Sequence, residues 1–321
     1  MNKLLEIKNL KKYFKTPHGT LHAVDDVSFA IDKGQTLGVV GESGCGKSTL
    51  GRCVVRLHDV TEGEILYEGK DISELSSREF QPYRLNMQMI FQDPFSSLNP
   101  RMSVSQIIAE PLIIHKCCRN NLELGKKVGE LMDTVGLARR LAKSYPHELD
   151  GGRRQRIGIA RALSLNPQFI ICDEPVSALD VSIQAQILNL MQDLQEELNL
   201  TYMFITHNMS VVKHISNDIM VMYMGTVVEL APAQNVFDLR LHPYTKALLD
   251  AVPVPVLGSK KKRGLLKGEI SSPIDPPLCC RFARRCVFAT EECFEVAPVL
   301  KEYREGHFAA CHNVKTINRL D

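Results

Sequence analysis

One eight-residue segment, positions 41–48, constrains the fold of this chain more than any other. Its sequence, GESGCGKS, matches the phosphate-loop pattern G-x-x-x-x-G-K-[ST] at every fixed position. A short apolar run at 35–40 precedes it, and residues 48–55 read as the start of a helix. Such a strand–loop–helix unit presents backbone N–H groups and a helix N-terminus to anions. The segment therefore predicts an α/β fold built around a nucleotide-phosphate site.

The residues of this loop have separate predicted roles. Lys47 would reach the β- and γ-phosphates, and the Ser48 hydroxyl would hold Mg²⁺. The alternative is a glycine-rich turn with an exposed lysine, which the flanking strand and helix disfavour. The α- and β-phosphates would lie against the loop and the first helical turn, at Gly41, Ser43, Gly44, Cys45, Gly46 and Thr49.

A second element ends in two adjacent carboxylates. Residues 169–172 are an uninterrupted apolar run, as expected of a strand covered on both faces of a sheet. Asp173 and Glu174 follow at its carboxyl end, where ligands bind in open α/β sheets. Asp173 would act on Mg²⁺, and Glu174 would polarise the attacking water as a general base. Two solvated acids at an ordinary strand end are the alternative.

Four shorter motifs complete an ordered series with these two. The chain contains Phe91-Gln92-Asp93, the segment 149–153 (LDGGR), the segment 177–180 (SALD), and His207 after an apolar strand at 201–205. Any one of them could occur by chance. The ordered set predicts a protein that hydrolyses ATP between two copies of itself or a near relative.

These residues resemble the ATP-binding subunits of ABC transporters over nearly the whole chain. The resemblance implies a RecA-like core with an antiparallel β subdomain and a helical subdomain, followed by a small cysteine-rich extension. It also implies that Tyr13 stacks on adenine, that Gln92 senses the γ-phosphate and Mg²⁺, and that Asp180 crosses a dimer interface. His207 would contact the γ-phosphate. The implied catalytic residues are Glu174, His207, Lys47 and Gln92, and the implied Mg²⁺ residues are Ser48, Gln92 and Asp173.

The segment 149–153 departs from the family signature LSGGQ. It carries Asp150 in place of serine, followed by Gly151, Gly152 and Arg153, although the residues after it stay on pattern. A carboxylate about 5 Å from a phosphate charge meets a repulsion of roughly 3 kcal/mol at an effective dielectric constant of 20. Aspartate is also a good helix N-cap, worth about 1 kcal/mol, and Arg153 could turn towards it. We expect a weakened or specialised half-site, which favours a heterodimer of two related ATPases.

Composition agrees with a cytoplasmic enzyme that does not itself span a membrane. The net charge of +2 over 321 residues gives no electrostatic argument for nucleic acid. The N-terminus has no apolar signal region, and no stretch approaches 18 consecutive apolar residues. The resemblance to transporter subunits then implies a peripheral protein on the cytoplasmic face of the cell membrane. A soluble ABC ATPase acting on ribosomes or DNA is disfavoured, because the chain has one cassette and no heptad run.

Composition also divides the chain. Residues 1–231 read as the nucleotide-binding domain, with a helical subdomain at about 101–166, and residues 232–321 read as a C-terminal extension. The apolar residues Ile187, Leu190, Met191 and Leu194 recur at helical spacing, which predicts a core-facing helix. The prolines at 253 and 255 and the basic run at 260–263 predict an exposed linker.

Half of the ten cysteines lie in the last 45 residues. Four of them, Cys280, Cys286, Cys293 and Cys311, are separated by five, six and seventeen residues. Disulfides are disfavoured in a reducing compartment, and structural zinc usually brings a closer pair, which would recruit the adjacent Cys279. Four thiolates fit an iron–sulfur cluster equally well. Spacing alone leaves open zinc, an iron–sulfur cluster and a chance enrichment.

The C-terminal region resembles that of the oligopeptide and dipeptide importer ATPases, through the segment 242–249 and the cysteine block at 280–312. This resemblance implies a [4Fe–4S] cluster on Cys280, Cys286, Cys293 and Cys311, with Zn²⁺ as the alternative. It implies a peptide importer whose other parts are a second ATPase, two transmembrane permeases and an extracytoplasmic binding protein. The alternatives are an importer of nickel chelates or other solutes, and a regulatory ATPase that hydrolyses weakly.

Overall fold

The computed structural model describes residues 3–93, 95–251 and 272–320. In chain order, the strands are β1 (Lys3–Thr16), β2 (Gly19–Asp32), β3 (Thr36–Val40), β4 (Glu62–Tyr67), β5 (Lys70–Asp71), β6 (Met87–Ile90), β7 (Phe169–Asp173), β8 (Thr201–Thr206), β9 (Asp218–Tyr223), β10 (Thr226–Pro232), β11 (Lys301–Arg304) and β12 (His307–Ala309). The helices are α1 (Lys47–Val54), α2 (Gln81–Asn86), α3 (Val104–Ile114), α4 (Asn121–Thr134), α5 (Gly151–Leu163), α6 (Val181–Leu198), α7 (Met209–Ile215), α8 (Ala233–Asp238), α9 (Pro243–Ala251), α10 (Glu292–Glu295) and α11 (Val314–Asn318).

The chain forms two compact units, and the first contains the described parts of residues 1–32, 36–73 and 206–321. An antiparallel sheet with strand order β2-β1-β4-β5 lies in this unit. A second set of strands has the order β11-β12-β10-β9-β3. Within this set, β3 and β9 run parallel, and the other described neighbours pair antiparallel. Every residue of β3 is buried, as expected of a strand covered on both faces. This places the carboxyl end of β3 at the start of the phosphate loop.

The second unit contains residues 33–35 and 74–205. Its strands β8, β7 and β6 lie side by side in that order and run parallel, and every residue of β7 is buried. The helices α3, α4 and α5 pack on one another within the predicted helical segment 101–166. Helix α6 buries Ile187, Met191 and Leu194, which confirms these three positions of the predicted core-facing stripe. The fourth, Leu190, is only half-buried.

The C-terminal region adds a small core and a buried polar cluster to the first unit. Leu241, Ala309 and Val314 pack together, while Phe282 enters the larger core beneath β9 and α9. The buried carboxylate of Glu229 accepts the N–H groups of residues 241 and 242 and lies 2.7 Å from His307 Nε2. The extension therefore folds against the end of β10 rather than standing apart from it.

The compact units divide the chain at other points than the predicted domains. Their boundaries fall after residues 32, 35, 73 and 205. The predicted division into 1–231 and 232–321 remains a prediction. The predicted linker, with its prolines and the basic run at 260–263, lies outside the described residues.

Helix α6 has 18 residues. Its sequence is too polar for a bilayer, and no other helix in the described part of the chain has the length and apolar character needed to cross one.

Candidate nucleotide-binding site

The phosphate loop joins β3 to α1 in the first unit, as predicted. Gly46 takes a left-handed φ of 103° immediately before α1, and a Cβ at this position would lie 2.0 Å from the Ala23 carbonyl oxygen. Only glycine fits there without moving the backbone. At Gly44, with φ of 79°, no described atom lies within 4 Å of the position that a Cβ would take. The loop therefore has one tightly packed side and one open side, as an anion cradle requires.

Lys47 is held by the loop that it belongs to. Its side chain is almost entirely buried, and Nζ donates to the carbonyl oxygens of Gly41 at 2.9 Å and Glu42 at 3.0 Å. The same nitrogen lies 3.7 Å from the buried Cys45 Sγ. Burial raises the pKa of the Cys45 thiol, so this sulfur stays neutral beside the ammonium. Lys47 Nζ is thus held against the carbonyl oxygens of its own loop, and its contact with phosphate remains a prediction.

Glu42 is the residue where the loop meets the C-terminal region. Its carboxylate receives two hydrogen bonds from Arg285, at 2.7 and 2.9 Å. Its backbone N–H donates to the Tyr244 hydroxyl at 2.8 Å. Both partners are buried, and the ring of Tyr244 packs edge-on against Tyr223 at 4.8 Å between centroids. Sequence analysis missed these contacts, because nothing in the spacing of Arg285 or Tyr244 points to residue 42.

Tyr13, the predicted adenine-stacking residue, already stacks on a side chain of its own sheet. Its ring lies 4.0 Å from the His22 ring at an angle of 27°, and its hydroxyl donates to the Asp25 carboxylate. Burial and the Asp25 charge together raise the pKa of Tyr13 well above its ordinary value, so the hydroxyl stays protonated. The ring is half-buried, which leaves the assignment to adenine a prediction.

His207 directly follows β8 and belongs to the first unit, like the phosphate loop. Its side chain is exposed. The next residue, Asn208, caps α7 by accepting the Ser210 N–H at 2.9 Å. The local fold therefore presents His207 at a strand end, where its spacing predicts it, and its contact with a γ-phosphate remains a prediction.

The second unit brings Gln92, Asp173 and Glu174 together at the carboxyl ends of β6 and β7. Gln92 donates through Nε2 to Glu174 Oε2 at 3.1 Å. Asp173 is fully buried, and Glu174 is almost so. Glu174 has a left-handed φ of 46°, an uncommon conformation for a residue with a Cβ, and its N–H donates to the Ile205 carbonyl at 2.9 Å. Strained backbone of this kind concentrates at functional sites, and no sequence pattern announced it.

The departing signature segment opens helix α5, also in the second unit. Asp150 is the N-cap, and its carboxylate accepts the Arg153 N–H at 2.8 Å. Arg153 also turns its guanidinium back, with Nε 3.4 Å from Asp150 Oδ2. Both the predicted cap and the predicted neutralising contact are confirmed. Gly151 and Gly152 form the first turn, and a Cβ on Gly152 would lie 2.7 Å from an Ile183 methyl group on α6.

Asp180 caps helix α6 in the same way. Its carboxylate accepts the Ser182 hydroxyl at 2.8 Å and the Ile183 N–H at 3.1 Å. These two hydrogen bonds lower the pKa of Asp180, so it is ionised at neutral pH. Asp180 is exposed, as a residue predicted to face a partner subunit must be.

The four predicted cluster cysteines lie near one another in the first unit. The Cys280 N–H donates to the Cys293 carbonyl at 3.1 Å. Burial raises the pKa of the Cys280 thiol to about 12, with a further rise from Cys293, Cys311 and Cys286. The neighbouring Cys279 Sγ lies 4.0 Å from the Cys280 carbonyl oxygen. No group of three or more His, Cys, Asp or Glu side chains among the described residues is arranged as a metal site.

An open groove of about 770 Å³ runs along α3 and α4 in the second unit. Ala109, Val128 and Met132 line it. Ile113 and Ile114 of α3 also line it and are 59% and 67% exposed. Large aliphatic side chains this exposed indicate a contact surface.

Comparisons with known proteins agree with these features. A family profile described as ABC transporter matches residues 24–177, and one described as the C-terminal region of oligopeptide/dipeptide transporters matches residues 228–293. The oligopeptide transport ATP-binding protein AppF of Bacillus subtilis is 54% identical over 96% of this chain and 97% of its own length. The oligopeptide transport ATP-binding protein OppF of Haemophilus influenzae is 50% identical over 96% of this chain and 94% of its own length. A solved dimer of the ATP-binding cassette MJ0796, bound to ADP and Pi, covers 71% of this chain and 98% of its own, with a TM-score of 0.66 and 29% identity.

Proposed function

Because this chain belongs to the family of ATP-binding proteins of ABC transporters, we propose that it hydrolyses ATP to drive an importer of oligopeptides or dipeptides across the cytoplasmic membrane. One observation supports the peptide substrate above all others. The match to the C-terminal region of oligopeptide/dipeptide transporters covers residues 228–293, in addition to the match to the cassette. The AppF and OppF relatives, named for oligopeptide transport, align over nearly their whole length.

The residues act on ATP in two groups under this proposal. In the first unit, the loop N–H groups and Lys47 bind the phosphates, Tyr13 stacks on adenine, and His207 contacts the γ-phosphate. In the second unit, Glu174 takes a proton from the attacking water. Gln92 donates a hydrogen bond to Glu174 at 3.1 Å and orients the Glu174 carboxylate. Mg²⁺, when bound, would neutralise phosphate charge, and Ser48, Gln92 and Asp173 are the residues that would hold it.

The signature segment would act on a second ATPase. Residues 150–152 and Asp180 would face nucleotide bound to a partner subunit, whose own signature would complete the site on this chain. In a homodimer both composite sites would carry the Asp150 carboxylate, whereas a partner with the usual signature would leave it in only one of them; we therefore favour a heterodimer. The exposed positions of Asp150 and Asp180 support this assignment.

The groove along α3 and α4 would receive a permease subunit. Its exposed Ile113 and Ile114 give an apolar contact of the kind that a short cytoplasmic helix of a membrane protein can cover. Two permeases and an extracytoplasmic binding protein complete the importer. Docking on the permeases would hold this chain at the cytoplasmic face of the membrane.

The cysteines of the extension would hold a [4Fe–4S] cluster, with Cys280, Cys286, Cys293 and Cys311 as ligands. The mutual electrostatic effect of the Cys280, Cys286, Cys293 and Cys311 thiols supports this set. Anaerobically purified chain should then contain about four iron and four sulfide per chain. A stoichiometric zinc ion instead of iron would show that Zn²⁺ is the bound metal. If the chain contains neither iron nor zinc, the cysteines do not hold a metal. The expected role is to order the extension.

The decisive experiment is reconstitution of the complete transporter in proteoliposomes. The partner ATPase should carry a substitution of its catalytic glutamate, so that turnover comes from this chain's own site. We expect oligopeptide with its binding protein to stimulate ATP hydrolysis. Stimulation only by a nickel chelate or another solute would identify that solute, and not an oligopeptide, as the substrate. ATP binding without hydrolysis would make this chain the regulatory subunit.

A further inference from the structure

The extension contacts the phosphate end of the nucleotide site through one arginine. Arg285 holds both oxygens of the Glu42 carboxylate, and the side chain of Arg285 is only 7% exposed. Glu42 and Gly41 in turn present the two carbonyl oxygens that bind Lys47 Nζ. Arg285 therefore contacts Glu42, and Glu42 in turn contacts Lys47, the lysine assigned to the phosphates. Tyr244 adds a second attachment to the same residue through the Glu42 N–H.

The extension contacts the adenine end through a second arginine, four residues earlier. The Arg281 guanidinium binds the Asp25 carboxylate, and Asp25 also accepts the Tyr13 hydroxyl. The same guanidinium binds the Met224 carbonyl, in the tight turn between β9 and β10. The next residue of that turn, Gly225, donates its N–H to the Cys45 carbonyl at 2.9 Å. Arg281 thus reaches both the tyrosine assigned to adenine and the phosphate loop.

We propose that the segment from Cys280 to Cys286 is a nucleotide-positioning element, in which Arg281 sets the adenine end and Arg285 sets the phosphate end of the ATP site. The inference rests on ATP binding at the loop 41–48. Neither arginine touches the nucleotide in this arrangement, so both are positioning residues. Two arginines fixed on one short segment hold the two ends of the site at a constant separation.

The physical basis is preorganisation of the loop before ATP arrives. A loop that samples several conformations must be ordered on binding, and that cost reduces affinity. The bidentate pair with Arg285 holds the Glu42 side chain strongly and in a single orientation. The hydrolytic residues Glu174 and Gln92 lie in the other compact unit. Loss of the pair should therefore weaken ATP binding and leave the chemical step at saturating ATP nearly unchanged.

The test compares Arg285→Met with Arg284→Met in the full-length chain. Arg284 lies beside Arg285 but is exposed, so its substitution removes the same charge from the same segment without touching Glu42. We expect the ATP dissociation constant of Arg285→Met to rise about tenfold, the magnitude typical of a charge-assisted hydrogen-bonded pair. Arg284→Met should bind like the wild type. In the assembled transporter, KM for ATP should rise while kcat stays within about threefold.

Two further variants keep the inference testable if Arg285→Met does not fold. Tyr244→Phe removes only the acceptor of the Glu42 N–H, and Arg285→Lys keeps the charge but loses the paired geometry. Each should weaken ATP binding less than Arg285→Met does. Unchanged ATP binding in all three variants, or an equal loss in Arg284→Met, would overturn the inference. Failure of the wild-type chain to bind ATP, or unchanged binding in Lys47→Ala, would instead overturn the assignment of the site itself.

Discussion

Helices α1 and α5 both begin at glycines assigned to phosphate, and they begin in opposite ways. Helix α1 starts after Gly46, and no side chain among the described residues caps it. Helix α5 starts at Asp150, whose carboxylate already accepts the Arg153 N–H. An uncapped start leaves its N–H groups and positive dipole end for a ligand, whereas an aspartate cap supplies a negative charge in advance. The same helical geometry thus serves an open anion site in one unit and a partly satisfied one in the other.

The two segments also differ in their support. The phosphate loop is held from outside by Arg285 and Tyr244, both buried. The start of α5 is held by its own next turn, where Arg153 is half-exposed and screened by solvent. The first arrangement fixes a backbone, and the second adjusts a charge. Four substitutions or conditions test this difference, in descending order of expected effect.

The largest effect is expected for Glu174→Gln. The amide keeps the size of the side chain and the contact with Gln92 but cannot accept a proton from water. ATP hydrolysis by this chain's site should fall by 10²–10⁴, the usual contribution of a general base. ATP binding at the open start of α1 should remain, as measured by equilibrium binding. Near-normal hydrolysis in the assembled complex would remove Glu174 from the base role.

Acid should weaken the support of the phosphate loop. Burial lowers the pKa of His242 to about 4, and its Nδ1 accepts the Tyr244 N–H. The neutral form is favoured in the folded state, so this contribution to stability is present above pH 6.5 and is lost as the pH falls towards 4. The free energy of unfolding should drop by about 2 kcal/mol between pH 7 and pH 5 from this residue alone. His242→Asn retains an acceptor, and denaturant titrations of this variant should show a flatter pH dependence. An unchanged slope would contradict the assignment.

A smaller gain is expected for Asp150→Ser, which restores the usual signature residue. Serine also caps helices well, so the start of α5 should persist while its negative charge disappears. ATP turnover at the partner's site should rise, by up to about tenfold if the repulsion is only partly neutralised in the native chain. Asp150→Asn is the matched control for charge alone. Lower turnover in both variants would indicate that the carboxylate itself assists the partner's site.

The smallest effect is expected for Arg153→Met, which removes the neutralising guanidinium. An exposed ion pair contributes about 0–1 kcal/mol, so turnover at the partner's site should fall no more than about fivefold. The effect should vanish when Asp150→Ser is already present. A double-mutant cycle on the assembled transporter measures this coupling. Equal effects in both backgrounds would mean that Arg153 acts independently of Asp150.

Sequence reasoning was strongest where neighbours along the chain decide the structure. The buried strands before Gly41 and Asp173, and the cap and ion pair formed by Asp150 and Arg153, depend on residues a few positions apart. The local sequence pattern could not predict the partners of Glu42 and Asp25, because Arg285 and Arg281 lie 243 and 256 residues away. The left-handed backbone of Glu174 was also unforeseen, since tertiary contacts impose it on a residue that rarely adopts it.

The long separation between Glu42 and Arg285 has a consequence for the newly made chain. Strand β3 pairs with the parallel strand β9, whose first residue, Asp218, lies opposite Leu37. The contact between Glu42 and Arg285 spans 243 residues. At about 5–20 residues per second, synthesis of those 243 residues takes on the order of 10–50 s. During that time the nascent chain carries the whole phosphate-loop sequence without the Arg285 contact to Glu42. ATP should therefore bind the emerging chain more weakly, and stabilise its fold less, before the extension has been translated than after it.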